Sequence, residues 1–153
     1  MEQTRGKVLV VDDEPSVLDV LRRYLTKAGY EITVAPNGAA ALEMVHSGPV
    51  PDLIVLDLMM PVMSGFEVLS ALQANKAWSE IPVILLSATA GYMAGHLDVD
   101  AILPKPFDIA GLDAAIQAAL ASRRQKKEAT KKEIPKKKQG TRRKEKRKKA
   151  TQR

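Results

Sequence analysis

Apolar and polar positions alternate along the first part of the chain in short segments that predict strands and helices. The run Lys7–Val11 is apolar and rich in β-branched residues, which predicts a strand buried on both faces. The next segment predicts a helix that starts at Pro15 and ends before Gly29, since its apolar residues recur every three or four positions. These residues are Leu18, Leu21, Leu25 and Ala28. Gly29 is suited to the residue that closes such a helix.

The strand and helix pattern recurs four more times. Further strands are predicted at residues 31–35, 53–56, 82–86 and 101–103, and further helices at residues 39–46 and 66–74. Asp108 is predicted to cap a last helix, whose inward positions are Ile109, Leu112, Ile116 and Leu120. Residues 87–105 show little periodicity, and we expect only about one turn of helix there, around residues 92–97. Five such units predict an α/β fold: a doubly wound five-stranded parallel sheet with helices on both faces and a shortened fourth helix.

The composition changes after Ser122. Residues 123–153 contain 17 Lys or Arg and 3 Asp or Glu, a net charge of +14, whereas residues 1–122 contain 7 and 15, a net charge of −8. We call residues 1–122 the body and residues 123–153 the basic tail. The tail has Ile134 as its only large aliphatic residue, so it cannot form a core. We expect the last helix to continue to about Glu133 and the tail to be largely disordered.

Several classes of site and location are disfavoured by composition. The chain has no cysteine, which excludes disulfides and thiolate metal sites. Its two histidines, His46 and His96, are isolated in the sequence, which disfavours a histidine-based metal site. No apolar run has the length of a signal peptide or of a membrane span. The sequence therefore predicts a cytoplasmic protein with no transmembrane segment.

Polar residues follow the predicted strands at the ends where ligands bind in doubly wound sheets. Asp12 and Asp13 follow the first strand, Asp57 the third, Ser87 the fourth and Lys105 the fifth. Three neighbouring carboxylates repel one another unless a cation offsets their charge, and such oxygen ligands suit Mg²⁺. An ionised Asp57 can then attack an electrophilic phosphorus, while Lys105 and the Ser87 hydroxyl stabilise the phosphoryl oxygens.

Each of these residues also has an ordinary structural interpretation. Asp12 and Asp13 suit the N-cap of a helix, and Asp57 could simply end a strand. Ser87 could satisfy a nearby carbonyl, and Lys105 could be a solvated surface charge. Their occurrence together at strand ends favours the functional interpretation.

Four segments at strand ends resemble the response-regulator receiver domains of two-component signalling. They are VLVVDDEP (8–15), LIVLDLMMPVMSG (53–65), VILLSA (83–88) and LPKPF (103–107), and the resemblance extends from residue 7 to about residue 122. It implies a flavodoxin-like fold with strand order 2-1-3-4-5 and a receiver domain at residues 1–122.

The resemblance also implies a role for each site residue. Asp57 looks like the acceptor of a phosphoryl group from a phosphohistidine on a sensor histidine kinase or phosphotransfer protein. Asp13 and Asp57 look like direct Mg²⁺ ligands, together with the backbone carbonyl of Met59, and Asp12 would reach the metal through water. Ser87 and Lys105 look like the hydroxyl and the ammonium that sense the phosphoryl group. The resemblance further implies a cis bond between Lys105 and Pro106.

The sequence departs from the family pattern in the region through which output usually passes. Ile102 occupies a position where such domains often carry Tyr or Phe, and the interval between Ser87 and Lys105 is about one helical turn short. The expected function is a stand-alone, non-enzymatic phosphorylation switch that acts through contacts with a downstream protein. The alternative is a phosphorylation-independent interaction module with the same fold. A small Mg²⁺-dependent hydrolase is a third class, and Met59 argues against it, since such phosphatases typically carry a second Asp there.

The basic tail has three interpretations. It could be a solubilising extension, it could bind a polyanion such as nucleic acid, anionic lipid or acidic protein, or it could fold back on the acidic body. Its lack of aromatic residues means that any nucleic-acid binding is expected to be non-specific.

Overall fold

The computed structural model describes residues 3–89 and 97–129. The chain divides into two units after Leu120. Five strands and four helices occur in the described residues. Within these ranges, no helix combines the length and the apolar character needed to cross a membrane.

The strands and helices alternate along the chain. The strands are β1 (Lys7–Val11), β2 (Glu31–Ala35), β3 (Leu53–Asp57), β4 (Val83–Ser87) and β5 (Ala101–Pro104). The helices are α1 (Pro15–Lys27), α2 (Gly38–Ser47) and α3 (Gly65–Ala74), followed by α4, which is helical from residue 109 to the last described residue, 129. The predicted elements are therefore confirmed to within one or two residues wherever the structure describes them.

All five strands are parallel and lie in the order β2-β1-β3-β4-β5. The register pairs Val11 with Leu56, Asp57 with Leu86, and Ser87 with Pro104. The carboxyl ends of β1, β3, β4 and β5 consequently lie side by side at one edge of the sheet. This arrangement confirms the predicted doubly wound fold.

A separate hydrophobic core covers each face of the sheet. One core joins alternate strand residues to α2 and α3 through Ala41, Val45, Val68, Leu69 and Leu72. The other joins the intervening strand residues to α1 and α4 through Leu18, Leu21, Leu25, Leu112 and Ile116. Because both faces are covered, β3 and β4 are buried along their whole length, as expected for central parallel strands.

The end of α1 confirms the closing role predicted for Gly29. Gly29 has a φ of 105°, a left-handed conformation that costs little without a Cβ. Its amide donates to the Thr26 carbonyl and the Tyr30 amide donates to the Leu25 carbonyl, both at 3.1 Å. This is the Schellman pattern, and it turns the chain directly into β2.

Some predictions concern residues that the structure does not describe. The short helical turn around residues 92–97 falls mostly in the undescribed interval 90–96, which includes His96. Residues 130–153 of the basic tail also lie outside the described residues. The helical conformation of residues 121–129 agrees with the predicted continuation of the last helix. The domain limits and the disorder of the tail stay predictions.

Gly65 allows α3 to begin against the end of β3. A Cβ added at Gly65 would lie 2.5 Å from the carbonyl oxygen of Asp57 and 2.7 Å from the Cα of Leu58. Both neighbours are backbone atoms, so neither can move alone. We predict that Gly65→Ala lowers the free energy of unfolding by about 1–3 kcal/mol or more, measured by urea denaturation.

Gly111 provides a matched control for this substitution. It lies in α4, and a Cβ there would meet nothing closer than the Asp108 Cβ at 3.9 Å. Gly111→Ala should therefore raise the free energy of unfolding by about 0.5–1 kcal/mol, because alanine is the better helix former. Equal effects of the two substitutions would contradict the packing argument.

Tyr30 connects the start of β2 to α4. Its hydroxyl donates a hydrogen bond of 2.8 Å to the Asp113 carboxylate, and the Arg5 guanidinium lies 4.8 Å from the centre of its ring. Burial of the phenol raises the pKa of Tyr30 to about 12, and the Asp113 carboxylate adds to this effect. The neutral phenol is thus favoured in the folded state.

We predict that Tyr30 ionises late in a spectrophotometric titration. The difference between the wild-type and Tyr30→Phe absorbance titrations should have its midpoint near pH 12 rather than near the ordinary tyrosine pKa of about 10. Because the folded pKa is raised, the stabilising effect is complete below about pH 10 and is lost as the pH rises towards 12. A difference titration centred at pH 10 would show that burial and Asp113 do not act on this phenol.

Candidate acidic site at the sheet edge

The ammonium of Lys105 lies between two buried carboxylates. Its Nζ is 3.1 Å from Asp57 Oδ1 and 3.4 Å from Asp12 Oδ2. Asp12 is fully buried and Asp57 is 3% exposed. The Lys105 amide also donates to the Ser87 carbonyl at 3.0 Å, and the bond from Lys105 to Pro106 is cis, as the resemblance implied. The fifth strand therefore delivers its lysine to the carboxylates of the first and third strands.

The three predicted carboxylates form one cluster. Asp12, Asp13 and Asp57 each offer an oxygen, and these oxygens lie within 4.8 Å of one another. Asp13 is exposed, so the cluster opens to solvent on its side. Hard oxygen donors at the mouth of a buried site fit Mg²⁺, which prefers carboxylates and retained waters. The donor set thus agrees with the predicted metal.

Burial, hydrogen bonds and neighbouring charges together shift the pKa values of two residues of the site. Burial raises the pKa of Asp57 and the neighbouring Asp12 charge adds to this rise, while the hydrogen bond from Lys105 opposes it. Burial alone would lower the pKa of Lys105, but the hydrogen bond to Asp57 and the charges of Asp12 and Asp57 outweigh it, so that this pKa is raised. The ammonium is therefore held in its charged form between the two carboxylates.

Asp12 does not act as the N-cap of a helix, which was the ordinary interpretation of Asp12 and Asp13. The N-cap residue of α1 is Glu14, and no side chain caps the helix there. Asp12 Oδ1 instead accepts from the Glu14 amide at 2.9 Å, while Oδ2 faces Lys105. The Asp12 side chain is thus directed into the cluster.

Ser87 ends β4, beside the strand that carries Asp57. It is 1% exposed, and its Oγ lies 3.0 Å from the Thr89 hydroxyl and accepts from the Thr89 amide at 3.0 Å. Leu86, the preceding residue, is the register partner of Asp57. Thr89 was not among the predicted site residues, although its spacing of two residues from Ser87 is typical of such a turn.

The loop between β3 and α3 is partly exposed to solvent and contacts Asp57. The Met59 amide donates to Asp57 Oδ1 at 3.4 Å, and the side chain of Met59 is 73% exposed. Val62 has a φ of 70°, an unfavourable conformation for a β-branched residue. The Met63 amide closes this tight turn onto the Pro61 carbonyl at 2.8 Å. The pattern of apolar and polar residues in the sequence does not predict this strained turn.

The contacts of Ile102 and His46 are ordinary packing contacts. Ile102 is half-buried and packs against the core on the α2–α3 face. His46 is exposed, and its ring contacts Trp78 edge-on with the centroids 5.8 Å apart. Neither residue joins the acidic site.

Comparisons with known proteins agree with this geometry. The family model of the response regulator receiver domain matches residues 8–117. The transcriptional regulatory protein KdpE of Mycobacterium tuberculosis is 39% identical over 132 residues, which are 84% of this chain and 55% of that protein. The transcriptional regulatory protein PrrA of Mycobacterium bovis is 42% identical over 127 residues, which are 78% of this chain and 52% of that protein.

Solved structures show the same fold. The response regulator TrrA of Thermotoga maritima, solved in complex with Mg²⁺ and BeF, is 35% identical with a TM-score of 0.66, and the match covers 74% of this chain and 97% of that one. The chemotaxis protein CheY4 of Vibrio cholerae is 30% identical with a TM-score of 0.68, covering 74% and 98% of the two chains.

The chain matches only part of each curated relative, whereas the receiver family model matches most of the chain. This chain spans about half the length of the curated relatives that it matches, 55% of KdpE and 52% of PrrA. The family model, in contrast, covers nearly the whole body. The sheet order, the acidic cluster and the lysine at the end of β5 all lie within the matched residues. The chain belongs to the response regulator receiver domain family.

Proposed function

We propose that the body is a phosphorylation-activated signalling switch that accepts a phosphoryl group on Asp57. The observation that carries this proposal is the contact of the Lys105 ammonium with Asp57 at 3.1 Å and Asp12 at 3.4 Å. It joins a buried nucleophile, a fixed positive charge and further carboxylates at the sheet edge where ligands bind. Membership of the receiver family supports the same chemistry.

The proposed reaction is an in-line transfer from a phosphohistidine. A carboxylate oxygen of Asp57 forms the new bond to phosphorus as the bond between phosphorus and the donor imidazole nitrogen breaks, and the electron pair leaves with the imidazole. Lys105 stabilises the charge on the phosphoryl oxygens, and the Ser87 hydroxyl is proposed to donate to one of them. Once the phosphoryl group is attached, the ammonium loses its ion pair with Asp57 and gains the phosphoryl oxygens as partners.

We propose that Asp13, Asp57 and the backbone carbonyl of Met59 bind Mg²⁺, with Asp12 reaching it through water. The bound ion would reduce the repulsion among the carboxylates and neutralise charge on the transferring group. The cluster of carboxylate oxygens within 4.8 Å supports this assignment. The TrrA structure, which was solved in complex with Mg²⁺ and BeF, gives a precedent in a relative.

The proposed partners follow from this chemistry. The donor is a sensor histidine kinase or a phosphotransfer protein, and the output is a contact with a downstream protein. The chain is proposed to act as a phosphoryl acceptor and not as a turnover enzyme, and its proposed location is the cytoplasm. The basic tail is proposed to bind a polyanion. The phosphorylation-independent module is less favoured, because the complete set of acidic and basic site residues is present.

The first test is labelling by a small phosphodonor. With Mg²⁺ and acetyl phosphate, we predict that the wild-type chain gains one phosphoryl group, seen as a mass increase, and that Asp57→Asn gains none. Chelation of Mg²⁺ should abolish labelling of the wild type. Asp108→Asn is the matched control, because Asp108 is exposed and Asn caps a helix equally well. Labelling of Asp57→Asn at the wild-type level would refute the assignment of the acceptor.

Met59 is predicted to set the lifetime of the phosphorylated form. Its amide contacts Asp57, and its exposed thioether cannot orient an attacking water by a strong hydrogen bond. Met59→Asn supplies an amide at this position, and we expect the aspartyl phosphate to decay about tenfold faster, the effect of roughly one hydrogen bond in the transition state. Met59→Leu should decay like the wild type. The idea fails if the Asn and Leu variants decay at the same rate when followed by loss of phosphoprotein.

A further inference from the structure

The basic tail is the largest feature of the chain that the phosphorylation switch does not use. It holds 17 cationic and 3 anionic side chains in 31 residues, and 11 of the 17 cations are lysines. The body carries a net charge of −8. Attraction to a polyanion must therefore come from the tail, since the body repels one.

The described start of the tail already presents this charge to solvent. Residues 121–129 are helical, and Arg124, Lys126 and Lys127 are exposed. At about 100° per residue, these three side chains and Arg123 project over an arc of roughly 160°. The tail thus begins with a basic helix face rather than with charges scattered around the helix.

The tail is additional to the receiver fold. The matches to TrrA and CheY4 cover 97% and 98% of those chains but only 74% of this one. The family model ends at residue 117, before the tail begins. A role of the tail is thus separate from what the receiver likeness implies.

The composition of the tail selects among anionic partners. Residues 123–153 contain no aromatic residue on which single-stranded bases could stack, and Ile134 is the only large aliphatic residue that could enter a lipid surface. Lysines act as flexible point charges and suit a dense, repetitive array of anions rather than the fixed geometry of a protein surface. A nucleic-acid duplex presents such an array, with about one negative charge per 1.7 Å of DNA helix axis.

We propose that the basic tail binds the backbone phosphates of a nucleic-acid duplex without sequence selectivity. The proposal deepens the polyanion-binding part of the proposed function and does not depend on phosphorylation of Asp57. Contacts of lysine and arginine side chains with backbone phosphates carry no sequence information, so the tail is expected to bind duplexes of any sequence. Binding should weaken steeply with salt, by about 10³-fold between roughly 50 and 200 mM if six or more phosphates are contacted.

The test measures fluorescence anisotropy of a short labelled DNA duplex titrated with the full chain over a salt series. In the first variant, Lys136, Lys137 and Lys138 are each changed to Gln. If these lysines contact phosphates, the slope of log K against log salt should become shallower by about 2–3, since each contact contributes about 0.9. Two duplexes of unrelated sequence should bind within about twofold of each other.

The matched control removes three cations from the body. In this variant Arg22, Arg23 and Lys27, all exposed on α1, are each changed to Gln. Both variants have the same net charge, so a difference between them reports where the cations are located. An equal loss of slope in the two variants would overturn the proposal, because net charge alone would then explain binding.

Binding measurements with other polyanions distinguish the possible sources of the phosphates. A DNA duplex and an RNA duplex of equal length share the proposed chemistry, and the one that binds more tightly is the preferred source of phosphates. Vesicles of phosphatidylserine and phosphatidylcholine, and polyglutamate, supply the competing chemistries. If either binds as tightly as both duplexes at equal charge concentration, the proposal is overturned. Asp57→Asn should bind duplexes like the wild type, so that failure of phosphoryl labelling and failure of duplex binding are separate results.

Discussion

The ion pairs of Lys105 with Asp12 and Asp57 are the interaction on which the candidate site depends. Two carboxylates with almost no exposure to solvent would be strongly destabilising if unpaired. The ammonium compensates both, at 3.4 and 3.1 Å, although the three residues come from three different strands. Correct pairing of β1, β3, β4 and β5 is thus needed to bring the charges together, and the site can exist only in the folded body.

The same ion pairs are compatible with the proposed switching function. The lysine is 27% exposed and has two partners, so a new anion at Asp57 can recruit it without leaving Asp12 unpaired. Recruitment of the ammonium by a phosphoryl group at Asp57 would change the ion pairing of the site. The hydrogen bond from the Lys105 amide to the Ser87 carbonyl connects such a change to the end of β4.

The fold and the site membership were largely predictable because they rest on local patterns. The burial of β3 and β4 on both faces follows from uninterrupted apolar runs, and Gly29 follows from the spacing of the leucines in α1. Parallel strands then bring their carboxyl ends to one edge, so residues distant in sequence become neighbours without further information. The position of Lys105 between Asp12 and Asp57 is a consequence of that topology.

The features that were not predicted depend on tertiary contacts or on backbone detail. The Thr89 hydroxyl is paired with Ser87 through a turn whose geometry has no hydrophobic period. The left-handed conformation of Val62 goes against the preference of its own residue type, so only the surrounding loop can impose it. The need for glycine at position 65 arises from the carbonyl of Asp57, which approaches from the end of β3.

The separation of charge along the chain places a further constraint on function. A net charge of −8 on the body and +14 on the tail belong to one polypeptide, yet the Debye length at physiological salt is only about 8 Å. Repulsion of a polyanion by the body is therefore screened beyond close range, while cations of the tail that touch phosphates directly release counterions and keep their effect. The carboxylates that the proposed phosphoryl chemistry needs are therefore compatible with the proposed binding of a polyanion, because the two proposed functions use different residues of the chain.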